Sequence, residues 1–211
     1  MTSPSPLLYN SYYHIYNRGN NRENIFVEER NYAYFLNLFE KHVAPVADLY
    51  AYCLLRNHFH MLVRVKPEEE IKSRRVSETL RDSNPEKPLG SDYPSKKFSD
   101  FFNAYAKAIN KAYNRTGSLF QHPFGRVLVT SDRQFWNVIA YIHQNPQKHK
   151  FVEDFRDWKY SSYGIILAGT PGIVQREAVL EWFGNVDEYR RLNTQWVSDA
   201  QSKWFAEDDI D

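Results

Sequence analysis

The chain has 211 residues, 42% hydrophobic and 16% aromatic, which supplies a packed core for one domain of ordinary size plus an extension. A single cysteine, Cys53, excludes a disulfide within the chain and points to a reducing compartment, and the absence of a leader-like start or a long apolar run points to a soluble cytoplasmic protein with no membrane partner. Net charge is only +1, but residues 1–95 carry 12 basic and 12 acidic side chains, residues 96–150 carry 9 and 2, and residues 151–211 carry 6 and 12. The middle block therefore has the local field that draws phosphates, while the tail is acidic. The plainer reading is a tail that merely neutralises its neighbour.

In chain order, Tyr12 to Arg18 (YYHIYNR) is aromatic and predicts a first strand, closed by Gly19 and a polar loop. The apolar positions Tyr32, Phe35, Leu36, Phe39 and Val43 predict a helix from Asn31 to Val43, with Pro45 beyond it. Leu49 to Leu55 and His58 to Val65 read as two strands joined tightly through Arg56-Asn57. Residues 66–95 are a charged insert with Ile71 to Arg81 as a short helix. Phe98 to Tyr113 has a helical apolar stripe, and Arg126 to Thr130 reads as a fourth strand. Ser131 or Asp132 caps a further helix that is expected to stop near Gln144, before Pro146. The order β-α-β-β-α-β-α predicts an α+β fold of the ferredoxin-like class, an antiparallel sheet with helices on one face. The division expected is a catalytic-type domain over 1–150 and an acidic extension over 151–211 packed on it.

Two segments carry chemistry. In Asn57-His58-Phe59-His60, strand periodicity sends both imidazoles to one face, where they can converge on a divalent cation, while Phe59, Met61, Val63 and Val65 seat the strand on a core. The bland alternative is a structural polar pair. In the last predicted helix, Phe135, Val138, Ile139 and Ile142 form the buried stripe, so Tyr141 is expected to project away from it. Asn145 lies one turn beyond Tyr141 and Lys148 is near, which makes a platform for a nucleophilic phenol. An ordinary half-buried tyrosine is the competing reading.

Taken together, YHIYNRGNNRENIF (Tyr13 to Phe26), LLRNHFHMLV (Leu54 to Val63), RTGSLFQHPF (Arg115 to Phe124) and YIHQNPQKHKFV (Tyr141 to Val152) resemble the REP-associated tyrosine transposases and, more broadly, the insertion-sequence-200-like single-tyrosine transposases, over roughly residues 10–165. The resemblance implies a single-stranded DNA endonuclease and strand transferase that nicks beside hairpins. Tyr141 takes the nucleophile's place and forms a 5′-phosphotyrosine, His58 and His60 take the metal-ligand positions, and Asn145 falls at an amide position that can complete the metal's shell. The metal expected is Mg²⁺ or Mn²⁺, and two imidazoles favour Mn²⁺ by ligand softness. The partner expected is single-stranded or hairpin DNA, and the protein a monomer or a homodimer. The QNPQKHKFV turn, the charged insert and the acidic tail depart from the family's pattern.

Among the basic residues, Arg18, Arg115, Arg126, Lys148 and Lys150 are the expected DNA contacts. The aromatics of Tyr12 to Tyr16 can stack on unpaired bases, or serve as core. His143 and His149 read as surface or phosphate-contacting residues, His14 as a buried hydrogen-bonded histidine or one that reaches the sheet's active face, and Lys72-Ser73-Arg74-Arg75 as a solvated run rather than a DNA arm. Two other functions compete: a domesticated hairpin-DNA-binding protein without cleavage activity, which has no need of a nucleophile, and a metal-dependent hydrolase, which would need carboxylate ligands that do not stand out near either segment.

Overall fold

The computed structural model describes residues 5–78 and 89–198; residues 79–88 of the charged insert, which include the end of the helix expected from Ile71 to Arg81, and the AEDDID tail lie outside the described residues. Strands β1 (Tyr12–Arg18), β2 (Ala47–Leu54), β3 (His58–Val65) and β4 (Gly125–Val129) form one sheet in the order β2-β3-β1-β4. Every neighbouring pair is antiparallel, so β1 and β2 run parallel with β3 between them. This is the split β-α-β arrangement of the ferredoxin-like class. Between β1 and β2 runs α1 (Glu29–His42), and between β3 and β4 run α2 (Glu68–Glu78) and α3 (Tyr93–Ala112).

Helix α1 starts two residues before its apolar stripe predicts, because Glu28 and Asn31 close a reciprocal capping box. It pairs with α3 to cover one face of the sheet. There Phe35 meets Phe59 and Phe101 at ring distances of 5.0 and 4.6 Å, and Phe59 meets Phe102 at 5.5 Å. The alternate residues of β3, His58 and His60, therefore face the other way.

That other face is not open. Helix α4 (Asp132–Lys148) lies across it, with Phe135 against Tyr12 and Tyr50 at 5.5 and 5.6 Å. The expectation of helices on a single face is corrected in this respect: α1 and α3 take one face and α4 the other. Helix α4 also continues past Pro146, since the last turn is closed by the His149 N–H donating to the Asn145 carbonyl at 2.9 Å.

Residues after 150 add α5 (Ser162–Ala168), α6 (Arg176–Phe183) and α7 (Val186–Thr194). They cover the outside of α4 and stitch the edge strand β2: Leu54 donates to the Tyr160 carbonyl, Tyr52 N–H to Ser162 Oγ, and Gln175 N–H to the Leu49 carbonyl, at 2.8–2.9 Å. An edge so covered is closed to pairing with another chain. Among the described residues no helix is long and apolar enough to cross a membrane.

Candidate active site

The register of the sheet assembles the site. His58 stands opposite Arg18 and His60 opposite Tyr16, and directly paired residues point to the same face. His14, two residues before Tyr16, joins them. These side chains meet α4, whose Tyr141 ring lies 5.5 Å from the His60 ring and 6.0 Å from the His14 ring. The Tyr141 side chain is thus enclosed, 1% exposed, and not turned outward as the helical stripe predicts. The physical reason is that α4 is buried on both sides, by the sheet and by the extension, so its apolar stripe marks only part of its buried surface.

Each histidine is oriented through its Nδ1. His58 Nδ1 lies 2.7 Å from Asn57 Oδ1, an acceptor, so the proton sits on Nδ1 and Nε2 carries a lone pair. His60 Nδ1 lies 3.0 Å from His14 Nε2. Asn145 donates its Nδ2 to the Tyr141 carbonyl at 2.9 Å, which leaves Oδ1 as the amide's remaining acceptor. Neither His58 Nε2 nor Asn145 Oδ1 makes a hydrogen bond of normal geometry, though both are buried. Asn145 nevertheless lies close enough to favour the protonated form of His58. Two buried acceptors facing one another without a donor leave a place for a cation.

The electrostatics keep the imidazoles neutral. Burial first, then the neighbouring His149 and Arg18, hold His58 well below the usual histidine range. For His60 the causes are burial, then His14, His58, His149 and Lys148. Neutral imidazole is the form that ligates metal. Among the described residues no three His, Cys, Asp or Glu side chains converge as a metal cluster, so the donor set on offer is two imidazoles and one amide. That set leaves room for other ligands, as a catalytic metal requires, and fits a divalent cation of intermediate softness.

A cleft beside the histidines is lined by Tyr16, Arg18, His58, His60, Gln121 and Gly125. A Cβ on Gly125 would lie 2.2 Å from the Tyr16 ring, so glycine at this position allows that ring its place in the cleft wall. Tyr16 is the aromatic of β1 that remains beside the site. Tyr12 packs against Tyr50, Phe135 and Trp182, and Tyr13 belongs to the buried core.

No family model matches the chain. A protein of Haemophilus influenzae (strain KW20 Rd) named "Putative REP-associated tyrosine transposase" is 25% identical over 150 residues, covering 66% of this chain and 76% of its own. The solved structure of a REP-associated tyrosine transposase bound to a REP hairpin superposes with a TM-score of 0.57 at 15% identity, covering 82% of this chain and 90% of that one. The chain is similar in sequence to a protein that carries the name REP-associated tyrosine transposase, and in fold to a second one. The structural likeness, at this identity, shows a shared fold.

Against the site expected from the resemblance, His58, His60, Tyr141, Asn145, Lys148 and Arg18 come together. Lys148 Nζ lies 5.1 Å from the centre of the Tyr141 ring. Three other basic residues do not join them. Arg126 points to the opposite face of the sheet, half-buried on the Phe124 ring at 3.8 Å and bonded to the Ser5 carbonyl at 3.2 Å. Arg115 is paired with Glu23 and bonds Asn110. Lys150 is exposed just past α4. The +7 block is therefore spread over several surfaces, because strand parity and local ion pairs, not chain proximity, decide where each charge points.

Of the two histidines expected at the surface or against phosphate, His143 departs from that expectation. His143, read as a surface residue, is fully buried on the far side of α4, with Nδ1 at 2.6 Å from Asn193 Oδ1 and Nε2 at 2.9 Å from Ser162 Oγ. His149 brings its ring to 4.8 Å from that of His58. The spacing of Tyr141, Asn145 and His149, four residues each, was the signal for this: it lines them on one side of α4.

Proposed function

We propose that this protein is a hairpin-directed, transposase-like DNA nicking and strand-transfer enzyme that uses Tyr141 as its nucleophile and a divalent metal held by His58, His60 and Asn145. The observation that carries the reading is the meeting of Tyr141 with the histidine pair across some eighty residues of chain, 5.5 Å between the Tyr141 and His60 rings. A protein that only binds DNA needs no nucleophile at that point.

The Tyr141 oxygen attacks the scissile phosphorus, the bond from phosphorus to the 3′ oxygen breaks, and the phenol's proton ends on the departing oxygen. The product is a 5′-phosphotyrosine and a free 3′-hydroxyl, and the covalent link conserves the bond energy for rejoining. A phenol with its ordinary pKa of about 10 needs help at neutral pH; the Lys148 ammonium over its ring favours the developing phenolate. A divalent cation, Mg²⁺ or Mn²⁺, would supply Lewis acidity toward a non-bridging phosphate oxygen. Arg18, beside His58 in the cleft, is placed to bind the phosphate, and Tyr16 to stack on an unpaired base. The Tyr141 oxygen is closed off from solvent, so strand entry from the cleft requires α4 to shift against the sheet.

The solved structure of similar fold holds a REP hairpin, and that DNA supplies the probe. Labelled hairpin DNA with a single-stranded flank is incubated with the protein and Mn²⁺ and run on a denaturing gel. A covalent protein–DNA adduct is expected, absent for Tyr141→Phe and for His58→Ala. Cleavage without an adduct would favour the metal-dependent hydrolase, and retardation on a native gel with neither product would favour the binding protein.

A further inference from the structure

We infer that His14 is a positioning residue that sets the tautomer of His60, an inference that rests on the metal reading above. The two candidate ligands stand on the same strand, two residues apart, and each has its Nδ1 against a polar neighbour: Asn57 Oδ1 for His58 at 2.7 Å and His14 Nε2 for His60 at 3.0 Å. The amide oxygen can only accept, so His58 is fixed with its lone pair on Nε2. The neighbour of His60 at Nδ1 is of the other kind. An imidazole can give or take, and the pair has two states. In one, His60 donates from Nδ1 and keeps its Nε2 lone pair for a cation. In the other, His14 donates from Nε2 and His60 carries its proton on the ligand nitrogen, which silences it.

Ligation by His60 Nε2 requires the first state. His14 then accepts at Nε2 and carries its own proton on Nδ1. His14 does for His60 what Asn57 does for His58, the role that ligating histidines ordinarily assign to a hydrogen-bonded neighbour. The geometry is rigid enough for this: His14 is fully buried, its ring lies nearly parallel to that of His60, with 5.1 Å between centres and 16° between planes, and it meets the Tyr141 ring near a right angle at 6.0 Å. One side chain from β1 thereby holds both the ligand on β3 and the ring on α4.

The test uses the full chain, wild type, His14→Leu and His14→Gln, with fold checked by thermal melting. Proton–nitrogen correlation spectra of the imidazoles in metal-free protein give the tautomer, and titration with Mn²⁺, followed by the resonance of the free ion, gives affinity. Expected are the Nδ1–H form of His60 in wild type, roughly a 10–100-fold loss of Mn²⁺ affinity in His14→Leu, and recovery to within a few-fold in His14→Gln, whose amide oxygen can accept. A wild-type His60 protonated on Nε2 overturns the inference, as does a folded His14→Leu that binds Mn²⁺ like wild type. Should His14→Leu fail to fold, His14→Gln and the wild-type spectrum still decide. Failure of the wild type to bind Mn²⁺ while His60 shows the Nδ1–H form counts against the metal reading and leaves the tautomer assignment standing.

Discussion

Helix α4 separates two buried histidine clusters that are built in opposite ways. On its outer side every polar atom is answered. His143 bonds through both nitrogens, Asn193 donates to the Tyr189 carbonyl at 2.8 Å, and Gln144 donates to the Asn193 and Gln195 carbonyls while accepting from the Val197 N–H. On its inner side His58 Nε2 and Asn145 Oδ1 are buried without a bond of normal geometry. The first cluster is fully paid in hydrogen bonds and holds the extension to the domain. The second carries a standing cost that only a ligand removes. Burial and residue type are the same in both; satisfaction is what tells a structural histidine from a functional one.

Four measurements set the inner side of α4 against the outer. The largest effect belongs to the inner side: Tyr141→Phe should lower adduct formation on the order of 10³-fold or more, while thermal stability moves by less than about 1 kcal/mol. The outer side should show the reverse. His143→Ala should cost about 3 kcal/mol in urea denaturation, because it leaves Asn193 and Ser162 without their partner and opens a cavity. His58→Ala should cost well under half of that, since it removes an unanswered acceptor. Equal losses would end the distinction drawn here.

Acid should act on the outer cluster in a defined direction. Burial holds His143 down to about 4, against an unfolded value near 6.5. The unfolded chain therefore takes up this proton first, so stability is full above about pH 6.5 and is lost as pH falls toward 4. The difference corresponds to about 3 kcal/mol. The side chains facing His143 are Asn193, Ser162, Tyr163 and Tyr189, none of which titrates in that window. His58 and His60 are lowered as well and push the same way, so the share that belongs to His143 is the part of the slope that vanishes in His143→Gln.

The smallest effect compares two cations. Lys148→Ala, on the inner side, should flatten the salt dependence of hairpin binding by about one unit of logarithmic slope, and Arg126→Ala, on the opposite face of the sheet, should leave it unchanged. A loss of slope in Arg126→Ala would mean that DNA wraps the far face.

Much of this was readable in the chain. Strand periodicity alone puts His58 and His60 on one side of β3, and helical spacing puts Asn145 beside Tyr141, since both follow from local backbone geometry. Strand boundaries were close for the same reason, with β1 and β3 as predicted. The end of α4 was not, because the penalty at Pro146 is local whereas the burial of Gln144, Asn145 and Pro146 that sustains the last turn is tertiary.

The pair of imidazoles, the order of elements and the resemblance that joins His58 to Tyr141 are all legible in the chain. The partners those groups meet are not: His14 against His60, His143 against Asn193, Arg126 on the far side of the sheet, and the Tyr141 ring turned inward. Side-chain period is local, but sheet register and the covering of α4 by the extension depend on residues far apart in the chain, and no spacing rule within one segment carries that information.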